Sequence, residues 1–281
     1  MLTVALFGAA GKMGGRIASK LRHHPDYRLV CVEEGDAGRA HLRAQGLDPT
    51  PWQEAARRAD IALLALPDVL VGRLTQEIVP LLPTGALVMC LDPAAPYAGR
   101  LPTRADVACF VTHPAHPPLF GDPSDTPDGP RDFFGGVRAK QAIVSALVRG
   151  TEDDYARGEA LARVIFGPIL RSHRVTLEQM AILEPVLSET VTATCLTIIR
   201  EALEEAVVRG VPADAARDFV MGHINVEIAI LFGEIEGRLS DGALLAVEEG
   251  RRDLFRPDWK RVFEREHLRR SVESITADPQ G

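Results

Sequence analysis

Residues 3–14, TVALFGAAGKMG, combine a short apolar run with a loop of three glycines. The apolar run predicts a first strand, and the pattern after Gly11 predicts a helix to about residue 23. Glycine is needed between them because the chain must turn tightly and approach a pyrophosphate, whose charge meets the helix N-terminus. We therefore predict a dinucleotide-binding loop that consists of Gly8, Ala9, Ala10, Gly11, Lys12 and Met13.

A carboxylate at the end of the second apolar run supports this prediction. Glu33 follows Gly11 by about 20 residues, the spacing at which an acid accepts hydrogen bonds from the adenosine ribose. A carboxylate there repels a 2′-phosphate, so NAD is favoured over NADP. Leu66, Pro67 and Asp68 end a later run and should line the cofactor cleft, although loop punctuation alone would also explain them. A glycine turn that serves packing alone is the competing interpretation of the loop.

Short apolar runs alternate with amphipathic stretches through the first part of the chain. Runs without internal alternation are typical of strands buried on both faces, and helices between them indicate βαβ units. We predict an α/β fold, in which a Rossmann-type parallel sheet domain spans residues 1–175 and an all-α domain spans residues 176–281. The predicted strands lie at residues 3–7, 28–33, 61–66, 86–91, 107–112 and 141–147.

The second domain is predicted to bind substrate and to dimerise. Thr176 and Gln179 form a capping box that opens a long helical pattern, and Pro185 inside it should kink or divide the helix. A further helix should follow Pro212. Residues 220–232 of that helix are apolar almost all round, so we expect it to be buried. Because so short a domain offers few internal partners, this helix should be short of partners within its own chain, and the family resemblance described below implies a homodimer.

Composition excludes several classes of protein. The chain has 281 residues, of which 46% are apolar and 25% charged, so it is not disordered. Its net charge of −7 is not offset by a basic block, which makes nucleic acid and anionic membranes poor partners. No run of about 18 apolar residues is present, so we expect no membrane span. Four scattered cysteines and the lack of a signal-peptide pattern favour the cytoplasm.

A proline-rich stretch at residues 114–136 interrupts the regular pattern and is predicted to be a long loop that covers a site. His113 and His116 stand at its start, next to prolines that restrict their backbone. Either imidazole could act as a general base or bind a metal. The alternative is that one of them merely caps the strand end.

Two carboxylates, Glu184 and Glu189, flank Pro185 in a helix otherwise rich in apolar residues. Carboxylates in such surroundings are often metal-bound, paired or shifted in pKa. Structural pairing with an arginine such as Arg174 is the alternative. His223 and Glu227 lie four residues apart on one helix face, and we interpret them as a buried structural pair rather than metal ligands.

The glycine loop, the succession of strands and the helical second half resemble the 6-phosphogluconate and β-hydroxyacid dehydrogenase superfamily. The signature lysine of those dehydrogenases has no counterpart, because no lysine lies between residues 141 and 259. A narrower group, the D-apionate oxidoisomerase family, is more similar. The strings that carry this similarity are VALFGAAGKMGGRI, LALPD, LDPAAPYAG, HPAHPPLF, KQAIVSALVRG, HRVTLEQMAILEP and GHINVEIA.

The family resemblance implies NAD-dependent oxidation of a branched sugar acid, D-apionate, coupled to a carbon-skeleton shift that gives 3-oxo-isoapionate. The chemistry of this reaction suggests His116 as the base that takes the hydroxyl proton, with His113 and Glu189 as further catalytic candidates. A divalent cation would be held by His116 and Glu184. The alternatives are a plain NAD-dependent dehydrogenase of another small hydroxy acid and a non-catalytic NAD-binding regulator.

Overall fold

The computed structural model describes residues 1–120 and 132–277. Residues 121–131 of the predicted loop and residues 278–281 therefore lie outside the described part of the chain. By its contacts the chain divides into two compact units, the first comprising residues 1–184 with the segment from residue 269 onwards, and the second comprising Pro185–Leu268. The boundary between the units follows residue 184, whereas the predicted domain boundary follows residue 175. The segment from residue 269 onwards belongs to the first unit, although we predict it as part of the second domain.

A single sheet of seven strands forms the first unit. The strands are β1 (Leu2–Phe7), β2 (Tyr27–Val32), β3 (Ile61–Leu64), β4 (Leu87–Cys90), β5 (Ala108–Pro114), β6 (Gln141–Arg149) and β7 (Ile169–Arg174). Their order is β2-β1-β3-β4-β5-β6-β7, and every neighbouring pair is parallel except β5 and β6. The predicted α/β class with a Rossmann-type sheet is confirmed.

Two features of the sheet differ from the prediction. Strand β6 runs antiparallel to β5, because the described parts of residues 115–140 form a returning loop and contain no crossover helix. Strand β7 was not predicted. Its sequence, ILRSHR, is polar and its side chains are largely exposed, so it lacks the apolar run by which the buried strands were found.

Helices cover both faces of the sheet. They are α1 (Lys12–Leu21), α2 (Asp36–Ala44), α3 (Trp52–Arg58), α4 (Asp68–Ile78), α5 (Ala94–Tyr97) and α6 (Glu152–Ile165). Strand β1 shows why its sequence is continuously apolar: Val4 and Leu6 join the core beneath α1 and α6, whereas Ala5 and Phe7 join the core on the opposite face. Burial on both faces thus explains the run without alternation.

A continuous helical segment carries the chain from the first unit into the second. It consists of α7 (Leu177–Ala181), a π-helix (Ile182–Ala193) and α8 (Thr194–Val208). The predicted capping box is confirmed, since Gln179 N donates to Thr176 Oγ1 at 3.1 Å and Thr176 N donates to Gln179 Oε1 at 2.9 Å. Pro185, at which we expect a kink or a break, lies inside the π-helix, whose wider turns replace the α-helical pattern between α7 and α8.

The chain then forms α9 (Ala213–Leu231), α10 (Asp241–Leu254) and α11 (Arg265–Ile275). Helix α11 buries Leu268 and Val272, whereas α9 and α10 bury little of their apolar surface within the chain. The expectation that α9 is buried is wrong for the single chain, since Ala229 is its only buried residue among those described. Phe219 and Phe232 remain 69% and 78% exposed. The pattern that predicted burial therefore marks an apolar surface that this chain alone does not cover.

One helical segment, Leu177–Val208, is long and apolar enough to cross a membrane by length and composition. Its most apolar window has a mean hydropathy of 1.4, and 11% of that window is buried within the chain. Glu184 and Glu189 lie in this segment, and intramembrane carboxylates are rare. These properties also fit a helix that packs against another protein surface.

The packing of α6 on the sheet supplies a stability test. A Cβ atom added at Gly158 would lie 2.7 Å from the ring of the fully buried Phe110. We expect Gly158→Ala to lower the free energy of unfolding by about 1–3 kcal/mol, because the surrounding core has no room to relax. Urea unfolding of both proteins measures the change.

Gly15→Ala is the matched control, since a Cβ atom at this position in α1 meets no described atom within 4 Å. This substitution should leave stability unchanged or raise it by roughly 0.5–1 kcal/mol, as expected for a helical glycine. Equal unfolding midpoints for Gly158→Ala and the wild-type protein would contradict the packing described for α6.

Candidate functional site

The predicted glycine loop joins β1 to α1 and is shaped by two close backbone approaches. Gly8 has a φ of +82°, and a side chain there would overlap the carbonyl oxygen of Ala65. A side chain at Gly14 would overlap the carbonyl oxygen of Gly8. Both positions therefore require glycine, which brings the first turn of α1 directly against the end of β1.

The N-terminus of α1 is open to an anion. Gly11 is its N-cap residue, no described side chain caps it, and its first turn carries no acidic residue. The first amides of a helix have no partners within the helix, and the helix dipole is positive at this end. A pyrophosphate bound beside Gly11, Lys12 and Met13 would satisfy these donors.

Glu33 lies at the end of β2, beside the same loop. Its carboxylate accepts hydrogen bonds from Ala10 N at 3.3 Å and from Gly35 N at 3.2 Å. These contacts hold it at the wall of a cavity of about 340 Å³ that also includes Gly8 and Leu66. Trp52, Leu70 and Arg73 line this cavity as well. These three residues could not be predicted from the sequence, because none belongs to a recognisable motif and the fold alone brings them to the same cavity as Glu33.

A second cavity, of about 270 Å³, lies at the carboxyl ends of β3, β4 and β5. We call it the cleft. Leu66 and Asp68 line it, and Pro67 is the N-cap residue of α4 directly between them. Asp92, which follows β4, also lines the cleft. The lining residues are Met13, Leu64, Ala65, Leu66, Asp68, Val71, Cys90, Leu91, Asp92, His113 and Pro114.

His113 presents one ring nitrogen for chemistry in the cleft. Its Nδ1 donates a hydrogen bond to the carbonyl oxygen of Leu91 at 2.8 Å, and a carbonyl oxygen can only accept. The neutral ring therefore carries its proton on Nδ1 and its lone pair on Nε2. Burial lowers the pKa of His113 below its usual range, although the Leu91 carbonyl and nearby Asp92 oppose this shift. A neutral imidazole with a free lone pair can accept a proton.

His116 lies beside the cleft but does not line it. It is exposed, its φ is +60°, and its ring centroid lies 6.3 Å from that of His113. A non-glycine residue in this backbone conformation is uncommon and often marks a functional position. Nδ1 of His116 donates to the carbonyl oxygen of Phe134 at 3.1 Å. Both histidines thus keep Nε2 as an acceptor.

The two predicted helix carboxylates differ in setting. Glu184 is half-buried and belongs to the first unit, whereas Glu189 is exposed and belongs to the second. The guanidinium of Arg174, named as one arginine that could pair with them, binds both oxygens of Glu152, at 2.5 and 2.7 Å. Both carboxylates lie in the π-helix, and such segments are frequent at functional sites.

The interpretation of His223 and Glu227 as a buried pair is wrong for the single chain. Both residues are exposed on α9. Nδ1 of His223 donates to the carbonyl oxygen of Phe219 at 2.8 Å, and the two rings stack with centroids 4.0 Å apart.

The described residues do not by themselves supply a complete metal site. Within residues 1–120 and 132–277, no group of three or more His, Cys, Asp or Glu side chains is arranged to hold a metal ion. His116 and Glu184 would need further ligands from outside this set. A sugar acid carries hydroxyl and carboxylate oxygens, which hard divalent cations prefer.

Comparison with known proteins finds relatives that match nearly the whole chain. Residues 122–276 match the family described as phosphogluconate dehydrogenase (decarboxylating), C-terminal. A protein named D-apionate oxidoisomerase from Rhizobium rhizogenes is 49% identical over 277 residues, which cover 98% of this chain and 100% of the relative. A protein of the same name from Cupriavidus necator is 48% identical and covers 97% and 99% of the two chains.

A solved structure extends the similarity to three dimensions. The crystal structure of a semialdehyde dehydrogenase NAD-binding protein from Cupriavidus necator, in complex with calcium and NAD, superposes with a TM-score of 0.94. The two chains are 48% identical, and the match covers 98% of this chain and 100% of the other. Because these relatives are 48% and 49% identical over nearly the full length of both chains, the chain belongs to the D-apionate oxidoisomerase family.

Proposed function

We propose that this protein is an NAD-dependent oxidoreductase that converts D-apionate to 3-oxo-isoapionate. One observation carries the proposal: the glycine loop, the Glu33 cavity and the His113 cleft follow one another along the carboxyl edge of a single sheet. Dinucleotides and their substrates bind at that edge in open α/β folds. The relatives named D-apionate oxidoisomerase supply the substrate, and the NAD bound in the Cupriavidus necator structure supports the cofactor.

The chain's residues fit NAD. The amides at the start of α1 bind the pyrophosphate, and Glu33 accepts hydrogen bonds from the adenosine ribose. The Glu33 carboxylate would repel a 2′-phosphate, which favours NAD over NADP. When bound, NAD accepts the hydride that leaves the carbinol carbon of the substrate. The protein must then bind the sugar acid next to the nicotinamide and move protons.

Two proton acceptors suit a reaction with two parts. Oxidation removes a hydride from C2 and a proton from its hydroxyl, and we assign that proton to Nε2 of His113, which lines the cleft. Migration breaks one carbon–carbon bond and forms another, while the tertiary hydroxyl loses a proton and the C2 ketone oxygen gains one. We assign the proton of the tertiary hydroxyl to Nε2 of His116. No additional oxidant is needed for the second part.

A divalent cation is a competing role for His116. With Glu184 and chelating substrate oxygens, its Nε2 could hold a cation that polarises the ketone and hydroxyl. The same lone pair cannot bind a cation and accept a proton, so these two roles exclude each other. Glu189 is retained as a reserve ligand or catalytic carboxylate. A chelator distinguishes the alternatives.

The first prediction concerns the reaction itself. We expect the pure protein to reduce NAD, and NADP far more slowly, when D-apionate is supplied, because Glu33 disfavours the additional phosphate. Nicotinamide absorbance measures the rate, and carbon-13 spectra of the product report its skeleton. Loss of activity with a chelator, and recovery with calcium or magnesium, would assign His116 to the cation.

Other outcomes separate the remaining functions. An oxidised product with an unrearranged skeleton would identify a plain dehydrogenase. Binding of NAD without turnover of D-apionate or of other hydroxy acids would favour a regulator. Turnover that prefers NADP would contradict the role given to Glu33.

A second prediction tests His113 as the base for oxidation. His113→Gln should reduce kcat by about 10²–10⁴-fold, the usual contribution of a general base, while NAD affinity remains within about twofold. In the wild-type protein the rate should fall as pH decreases through the pKa of His113, which burial holds below its usual range. Steady-state kinetics against pH and calorimetric NAD titration measure these effects.

His173→Gln is the control, since this exposed histidine lies on β7 and lines none of the cavities described. It should retain wild-type kcat. A His113→Gln protein with unchanged kcat would remove His113 from the mechanism.

We propose that the protein acts as a homodimer in the cytoplasm. The exposed apolar side chains of α9, which include Phe219, Met221, Leu231 and Phe232, favour a protein partner. The three buried cysteines, Cys31, Cys90 and Cys109, are free thiols, which fits a reducing compartment.

A third prediction tests the partner of α9. Light scattering should give twice the 30.5 kDa mass of the chain. Substituting Leu231→Glu and Phe232→Glu together should lower the mass to that of one chain, because two charges would enter an apolar interface. Flotation with anionic liposomes tests a membrane as the alternative partner of α9. Association of the wild-type protein with the vesicles would contradict a second copy of the chain as that partner.

A further inference from the structure

The segment just before β6 forms a tight turn around one carboxylate. Oδ2 of Asp132 accepts hydrogen bonds from three successive backbone amides, Val137 N at 3.0 Å, Arg138 N at 2.9 Å and Ala139 N at 3.2 Å. Within the turn, Gly135 N donates to Asp132 O at 2.9 Å. The Asp132 side chain is only 13% exposed. Three donors on one oxygen fix this turn in a single conformation.

Arg16 connects that turn to the dinucleotide helix. Its Nη2 donates to the carbonyl oxygen of Gly135 and lies 4.0 Å from Oδ1 of Asp132. Its guanidinium also sits 5.7 Å from the centre of the Phe134 ring, within the range of a cation–π contact. Because Arg16 belongs to α1, the turn is held against the same helix whose N-terminus faces the proposed pyrophosphate.

The turn ends in a contact with His116. The carbonyl oxygen of Phe134 accepts the hydrogen bond from Nδ1 of His116, and the two rings lie 6.0 Å apart. His116 is exposed and its backbone conformation is uncommon, so packing alone does not fix its ring. The Phe134 carbonyl selects the tautomer with the proton on Nδ1.

We propose that Asp132 and Arg16 are positioning residues for His116. Asp132 holds the turn in shape, Arg16 ties it to α1, and the Phe134 carbonyl then orients the imidazole with its Nε2 lone pair available. Neither Asp132 nor Arg16 touches the reacting atoms in this scheme. Their importance to catalysis rests on the proposed function of His116, whereas their effect on its tautomer does not.

The inference also links cofactor and substrate chemistry. The anion site at the N-terminus of α1 and the Arg16 side chain belong to one rigid helix of ten residues. A cofactor that orders the start of this helix therefore also stabilises the position of the turn and of His116. Remote groups that fix a catalytic ring in this way change activity by about 10–100-fold when they are removed.

The test reads the tautomer of His116 directly. In protein labelled with ¹⁵N at histidine, the Nδ1 and Nε2 shifts report which nitrogen carries the proton, and the resonances missing from His116→Gln provide the assignment. We expect the wild-type ring to be predominantly protonated on Nδ1. In Asp132→Ala and Arg16→Met the two tautomers should become mixed, because the Phe134 carbonyl is no longer held in place.

Kinetics on the same proteins supply the second measurement. Asp132→Ala should lower kcat by about 10–100-fold and change the KM for NAD by less than about threefold. Asp132→Asn keeps an acceptor oxygen for the amides and should recover much of that loss. Asp36→Asn is the matched control, since Asp36 is exposed and pairs with Arg39 on the surface.

The possible results separate this inference from the proposed function. An unchanged His116 tautomer in folded Asp132→Ala and Arg16→Met would overturn the inference, whatever their activity. A mixed tautomer in these variants would support it even if the wild-type protein failed to oxidise D-apionate, and that failure would count against the proposed function alone. Should Asp132→Ala not fold, Asp132→Asn and Arg16→Met decide by the same measurement.

Discussion

The contact between Gly8 and Gly14 is the constraint on which the first unit depends. A side chain at Gly14 would overlap the carbonyl oxygen of Gly8, and a side chain at Gly8 would overlap the carbonyl oxygen of Ala65. This approach fixes the start of α1 at the end of β1, and Ala10 N thereby reaches the Glu33 carboxylate. It also sets the direction of α1, from which Arg16 reaches the turn beside His116. The cofactor site and the proposed orientation of His116 thus both depend on the position of α1 relative to β1.

Much of the first unit could be predicted because its strands are buried on both faces. A strand that is buried on both faces is a continuous apolar run, which can be recognised in the sequence without knowing its neighbouring strands. The ends of these runs then indicate the edge of the sheet where ligands bind. Strand β7 was not predicted, because its side chains are largely exposed and its sequence contains no such apolar run. The π-helix was not predicted for another reason. Pro185 predicts an irregularity in the helix, but the sequence does not indicate whether the helix bends at the proline or widens into π-helical turns.

The two candidate histidines could be selected from the sequence, but their different surroundings could not. The strand end and the neighbouring prolines point to both His113 and His116, whereas the difference between them depends on tertiary contacts. His113 lies in the cleft because β5 extends to Pro114, and its ring meets the Leu91 carbonyl from a neighbouring strand. Phe134 is proposed to orient His116 through its backbone carbonyl. Because every residue has a backbone carbonyl, this role could not be predicted from the sequence.

The sparse burial in the second unit affects how the protein responds to its own concentration. Helices α8 and α10 contain no buried residue within the chain, so little hydrophobic free energy offsets the entropy lost on ordering them. In the proposed homodimer, association supplies that free energy, and mass action then governs the folding of these helices. Dilution would melt them while the sheet of the first unit remains folded. The abundance of the chain in the cell would thereby set the fraction of molecules with a complete helical half.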